Sequence, residues 1–204
     1  MESGASVQVG LTGYDGVVGT SVFLGGNSAS NLSVIGLAGE ALRIDVRVLR
    51  DQFERGGSLQ RVLLRYTEAL MTQISSTAAC NRVHVLEKRL CRWLLLIHDR
   101  AISNELVMTQ EFIASMLGGR RETVTVAAGN FQDAGAIRYS RGRLAIIDRR
   151  ALEDRVCECY SPLCKDSSRH SQSERYQHAG SESSGRCRQS PQNLNARLTS
   201  SLVR

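Results

Sequence analysis

The rhythm of apolar and polar positions divides the chain into four stretches. Over residues 1–52, short apolar runs alternate with glycine-rich punctuation. Val7-Gln8-Val9, Val17-Val18, Val22-Phe23-Leu24, Leu32-Ser33-Val34-Ile35 and Ala41-Leu42-Arg43-Ile44 predict short strands of a β-meander or part of a jelly roll. Five such strands bury little alone, so this region is expected to lean on the next. Residues 46–55 predict a short helix stopped by Gly56-Gly57. A long helix then starts near Ser58, a good N-cap. Its apolar residues Leu59, Val62, Leu63, Tyr66, Ala69, Leu70 and Ile74 recur at three- and four-residue steps and form one stripe. Such a stripe can pack on its twin in a dimer or cover the preceding β region. A further helix is predicted over Val83–His98, apolar all round at Trp93-Leu94-Leu95-Leu96-Ile97 and therefore central to a core. Asp99 to Val107 reads as a polar connection. From Ser161 onward apolar residues are scattered without period among Ser, Gln, Arg and Asn. Burial cannot offset the ordering entropy of such a segment, and disorder is expected.

Between these lies the stretch with the most specific pattern. Thr109 is placed to cap a helix whose inward face is Phe112, Ile113, Met116 and Leu117, broken at Gly118-Gly119. A second helix runs from Arg120 to about Ala134, with Val124, Ala127, Ala128 and Phe131 facing in and Gly135 after its end. A helix-turn-helix needs a small residue where the helices cross, a turn glycine four residues later and an aliphatic anchor six residues after that. Ala114, Gly118 and Val124 supply them. Gly119 stands where an apolar residue is usual, which is expected to loosen the turn by up to about 1 kcal/mol. Ala136-Ile137-Arg138-Tyr139 and Leu144-Ala145-Ile146-Ile147 predict two strands joined at Ser140-Arg141-Gly142-Arg143, a hairpin wing with arginines at its tip. The second helix of such a pair enters the major groove with its N-terminal residues at base edges, here Arg120, Arg121, Glu122, Thr123 and Thr125. Arg141 and Arg143 on the wing would reach phosphate or minor groove.

Charge sharpens this picture. The 204-residue chain carries a formal +6, and residues 120–150 hold seven arginines against three acidic groups. Residues 161–204 show a similar excess. Only Lys88 and Lys165 are lysines. Coding bias toward arginine would account for the excess but not for its clustering. Arginine suits bidentate contact with phosphate and guanine. No run of about 18 apolar residues points to a membrane span, and no signal-like N-terminus is seen, so a soluble cytoplasmic protein is expected. No Ser/His/Asp set, paired carboxylates or phosphate loop at useful spacing argues for an enzyme.

Six cysteines are present, and Cys157-Glu158-Cys159 with Cys164 invites a metal reading. C-x-C-x4-C is not the C-x2-C of a zinc finger, however, and no histidine close in sequence completes a set. Free thiols are favoured, Cys80 and Cys91 as buried ones. His84 and His98 are read as core-edge or surface residues, not ligands. No metal or cofactor is expected.

Residues 58–160 resemble the C-terminal half of a Crp/Fnr-type transcription regulator. The resemblance is carried by Arg89-Leu90-Cys91-Arg92-Trp93-Leu94-Leu95, by Leu106-Val107-Met108-Thr109-Gln110-Glu111-Phe112-Ile113-Ala114 and by Arg121-Glu122-Thr123-Val124-Thr125. Ala134 to Gly142 and Cys157-Glu158-Cys159-Tyr160 complete it. The resemblance implies a homodimer reading an inverted repeat in double-stranded DNA, dimerised through Leu59, Val62, Leu63, Tyr66 and Leu70, with RNA polymerase as a further partner. It assigns base reading to Arg121, toward guanine, and Glu122, toward a cytosine amino group, with Thr109, Gln110, Arg120, Thr123, Thr125, Arg141 and Arg143 beside them. The family often places another Arg four residues after that Glu, where this chain has Val126. Residues 1–52 resemble only the last strands of the family's cyclic-nucleotide-binding-like β domain. They lack its Glu and Arg for ribose and phosphate, so no cyclic nucleotide is expected to bind. The stretch after Tyr160 matches nothing in the family, which together with the short N-terminal region suggests a damaged or misassembled reading frame.

The expectation is thus an α+β protein in four parts. Residues 1–52 form a partial cyclic-nucleotide-binding-like jelly roll, 53–98 the connecting and dimerisation helices, 99–160 a winged helix-turn-helix, and 161–204 a disordered tail. The competing reading is a dimeric module that binds a small ligand or partner and whose helix-turn-helix is degenerate.

Overall fold

The computed structural model describes residues 7–26, 28–29, 31–101 and 103–160. The expectation of disorder over 161–204, and Cys164 with it, lies outside the described residues. Contacts divide the chain into two compact units, one built on residues 12–70 and the other on residues 7–11 and 71–160.

The five predicted strands do not form: among the described residues of 7–52 no strand is present. A strand needs a ladder partner and a covered face. Leu32, Ile35 and Leu42 have neither and stand 80% or more exposed. Val22-Phe23-Leu24 instead takes part in a short 3-10 turn, Thr20–Val22, and Phe23 points inward. Helix α1 (Val46–Glu54) starts at Asp45, whose Oδ1 accepts from the Arg47 N–H at 2.8 Å. Helix α2 (Ser58–Val83) begins at the expected residue and runs on to Val83. Phe23, Leu49 and Leu63 make the small core here, with Phe53 stacked at 5.1 Å from the Phe23 ring.

The second unit is organised around α3 (Leu86–His98), buried from Leu90 through Ile97. Its apolar girdle has neighbours on several sides: α4 (Gln110–Leu117), α5 (Arg121–Asp133) and α6 (Arg149–Glu153) all pack on it. Trp93 satisfies its indole N–H on Gln8 Oε1 at 2.6 Å, and the Gln8 N–H caps the Met116 carbonyl near the end of α4. Val7-Gln8-Val9, predicted as a strand, thus pairs with a helix end. The guanidinium of Arg89 reaches the Leu117 carbonyl, a cation at the negative end of α4.

The polar connection after α3 contains a strand that its sequence did not announce, β1 (Glu105–Val107). It pairs antiparallel with β3 (Arg143–Ile146), which also pairs with β2 (Ile137–Ser140), giving the order β1-β3-β2. Leu106 lies opposite Leu144, and Ile137 opposite Ile146. All four are buried, so one face of this sheet closes the core.

Arg149 is the hub of a polar network at the end of this unit. It lies 2.8 Å from Asp99 Oδ1 and 2.7 Å from Glu153 Oε1. It also meets His98 Nδ1 at 2.9 Å and Tyr160 Oη at 2.8 Å, while Tyr160 donates to Asp99 Oδ2 at 2.8 Å. Arginine can only donate, so His98 Nδ1 accepts and its Nε2–H donates to Asn104 Oδ1. Burial alone would lower the pKa of Arg149, but Asp99 and Glu153 outweigh it and the net shift is upward.

Candidate nucleic-acid interface

The two helices meet as the spacing predicted. Thr109 Oγ1 accepts from the Phe112 N–H at 3.1 Å and starts α4. Gly118 ends it in the left-handed region, φ 59° and ψ 39°. The Gly119 N–H bonds the Ala114 carbonyl at 2.9 Å and the Gly118 N–H bonds that of Ser115 at 3.2 Å, the paired closure of a Schellman turn. Gly119 has a steric reason that the sequence pattern hides: a Cβ there would run into Leu86 Cδ1. Its missing side chain seats α3 against the turn. Ala114 and Val124 are both buried, as the crossing requires.

Helix α5 then presents its first turn to solvent. Arg120 occupies the N-cap without a side-chain cap, and Arg121, Glu122, Thr123 and Thr125 are all exposed. Glu122 lies in the first turn, where the helix dipole favours a carboxylate. The Thr125 hydroxyl lies 2.8 Å from Gln110 Oε1 and 3.0 Å from the Arg121 carbonyl, which ties the start of α4 to the exposed face of α5. Val126 is exposed as well, an apolar side chain on the polar face.

The wing is anchored to the same place. Its turn is two residues long, Arg141 and Gly142, both left-handed with φ 49° and 75°, the dihedral signs of a type I′ hairpin. The Gly142 carbonyl accepts from the Met108 N–H at 2.8 Å, and the Tyr139 hydroxyl donates to the Met108 carbonyl at 2.9 Å. The tip of the wing is therefore held beside Thr109 and the start of α4. The Tyr139 hydroxyl has its pKa raised by burial, and Arg121 is near enough to pull against that shift. Arg141 and Arg143 are exposed. Arg149, counted with the basic stretch in sequence, is spent on Asp99 and Glu153 and does not join this surface.

The dimerisation stripe is divided. Leu63 is buried in its own chain's core, and the Tyr66 hydroxyl lies 3.2 Å from that of Thr12. Leu70 is half-buried, and Leu59 and Val62 are exposed.

The structure also gathers residues that sequence spacing left apart. Cys80 and His84, four apart at the end of α2, meet Cys157 and Cys159 at the far end of the unit. His84, read from the sequence as a core-edge or surface residue, has Cys159 Sγ 3.7 Å from its Nδ1, a neighbour 75 residues along the chain. Burial, then the neighbouring Cys157, pushes the Cys80 thiol up to about 12. The i, i+4 pair Cys80-x3-His84 was the available signal.

Residues 88–155 match the family model of the Crp-like helix-turn-helix domain. None of the curated proteins matches the chain. Among solved structures, FixK2 from Bradyrhizobium japonicum is 17% identical, with a TM-score of 0.50 over 56% of this chain and 60% of that one. A protein described as a Crp/Fnr-family transcriptional regulator from Eubacterium rectale is 25% identical, with a TM-score of 0.42 over 53% of this chain and 50% of that one. A CooA variant from Carboxydothermus hydrogenoformans is 19% identical, with a TM-score of 0.46 over 54% of each chain. The match thus spans about half the length of these proteins. The local geometry and the domain match agree on one point: residues 88–155, a third of the chain, have the two-helix turn and hairpin of the Crp-like helix-turn-helix domain whose model they match.

Proposed function

We propose that the chain regulates transcription as a homodimer, laying α5 of each copy in successive major grooves of an inverted repeat. The observation that carries this is the exposed first turn of α5, with Arg120, Arg121, Glu122 and Thr123 free of the core, beside a wing whose tip is bonded to the start of α4. Arg121 pairs with a guanine and Glu122 accepts from a cytosine amino group. Thr123 and Thr125 stand beside them, Thr125 aligned by Gln110. Thr109, Gln110, Arg120, Arg141 and Arg143 hold phosphate and set the register. Val126 offers no hydrogen bond, so one base pair of the half-site is read by apolar contact alone. Leu59 and Val62 give α2 an apolar edge for a second copy, with Tyr66 and Leu70 at its margin. Leu63 is committed to its own core. Work on DNA places the protein in the cytoplasm, with RNA polymerase as the further partner of an activating dimer.

Selection of bound duplexes from a random pool, followed by mobility shift across a salt series, tests this. The expected result is a twofold-symmetric site whose affinity falls steeply as salt rises. Arg121→Ala should cost about 1–3 kcal/mol per half-site and erase the preference for guanine at one position. A folded chain that binds no duplex at low salt would overturn the proposal.

A further inference from the structure

Away from the candidate DNA-binding surface, four side chains with ligand atoms converge. Cys80 and His84 lie one helical turn apart, and the His84 N–H bonds the Cys80 carbonyl at 3.1 Å, so both side chains share a face at the end of α2. Cys157 and Cys159 flank Glu158 at the 3-10 turn Glu158–Tyr160. The four ligand atoms all lie within 4.8 Å of one another. Cys80 Sγ is 3.7 Å from Cys157 Sγ, and Cys159 Sγ is 3.7 Å from His84 Nδ1.

These separations have a direct meaning. With Zn–S near 2.3 Å and Zn–N near 2.0–2.1 Å, a tetrahedron has S–S edges of about 3.8 Å and S–N edges of about 3.5 Å. Two edges therefore already stand at the required length. A [4Fe–4S] cluster, which seats each thiolate on a different iron, would need the sulfurs further apart.

We propose that Cys80, His84, Cys157 and Cys159 bind one zinc ion in a closed tetrahedral S3N site. Its role is structural: the metal ties the end of α2 to the last turn of the helix-turn-helix unit. Two neighbours fit this role. Glu158 Oε1 lies 3.4 Å from His84 Nε2, the carboxylate that fixes the tautomer leaving Nδ1 free to ligate. Arg92 is buried at 5% exposure, with its guanidinium on Thr77 Oγ1 at 3.0 Å and the Cys159 carbonyl at 3.4 Å, and no acidic partner among the described residues. One zinc with three thiolates leaves a single negative charge, which this guanidinium would balance in a place where an unpaired charge is costly. Soft thiolates with one imidazole select zinc over the oxygen-seeking cations.

Metal analysis of the reduced full-length chain, loaded with zinc and desalted, should give one zinc per chain. Cobalt titration of the same chain should give the intense visible bands of tetrahedral cobalt–thiolate coordination, a readout independent of any variant. Cys159→Ser and His84→Ala should each weaken zinc binding at least tenfold in chelator competition, while Cys91→Ser should not. A folded, reduced chain that retains no zinc and gives octahedral cobalt spectra would overturn the proposal. So would a Cys80–Cys157 disulfide as the stable form under reducing conditions, or zinc held equally by both ligand variants, which would assign the metal to other residues.

Discussion

Arg149→Met separates two uses of arginine that the sequence cannot distinguish. Arg149 sits in the basic stretch, but its guanidinium is turned inward. Its side chain is 25% exposed and that of Asp99 is 16%, so their 2.8 Å contact is largely shielded from water. A charge-assisted hydrogen bond of this kind contributes about 1.5–3 kcal/mol. The Glu153 contact is an i, i+4 pair with the carboxylate 43% exposed, so screening reduces it to about 0.3–0.5 kcal/mol. Loss of the bonds to His98 and Tyr160 adds to this, partly replaced by water. Methionine keeps the alkyl stem and removes only the donors. The expected cost is about 2–4 kcal/mol. At about 4–8 °C per kcal/mol for a domain of roughly 100 residues, thermal melting should fall by roughly 8–32 °C. DNA binding measured well below that melting point should keep its slope against salt. A phosphate-contacting arginine would behave the other way, with normal melting and a slope reduced by about one unit. If Arg149→Met melts within a few degrees of the parent while its salt slope falls, the network is not what holds this residue and the inward assignment is wrong.

Other perturbations probe the turn and the wing. Gly118→Ala puts a Cβ at φ 59° and within 3.2 Å of Val7 Cγ2. It should destabilise by about 1–2 kcal/mol in chemical denaturation, and a neutral result would argue against the left-handed turn. Arg141→Gly relieves a left-handed arginine at φ 49° and should raise stability by about 0.5–1 kcal/mol while weakening DNA binding evenly across sequences. The two effects have opposite signs, so melting and mobility shift on one variant check both.

The helix-turn-helix was legible because its determinants are local. A capping threonine, a 3.6-residue apolar period, a turn glycine and a two-residue hairpin loop act within a few residues of themselves, and α2 through α5 with the wing follow from them. β1 escaped notice because Glu105-Leu106-Val107 has too little period of its own; its strand character comes from pairing with Arg143–Ile146. The runs before residue 45 failed for the converse reason. Their alternation is strand-like, but a strand exists only with partners, and the chain supplies none among the described residues there.

The candidate DNA surface shows the same division. Arg121 and Glu122 were singled out by the family resemblance, and the local pattern placed them with Arg120, Thr123 and Thr125 on the exposed start of α5. That Arg149 leaves the basic face, or that Gly119 makes room for Leu86, depends on which element arrives from elsewhere. What the sequence alone determined was the helices α1 to α5 and the turn between α4 and α5, since short-range sterics and hydrogen bonds decide each. What only the tertiary structure decided was which distant side chains meet: Arg149 with Asp99, and Cys80 and His84 with Cys157 and Cys159. Chain spacing carries no record of those encounters, because packing of the α3 core brings them about.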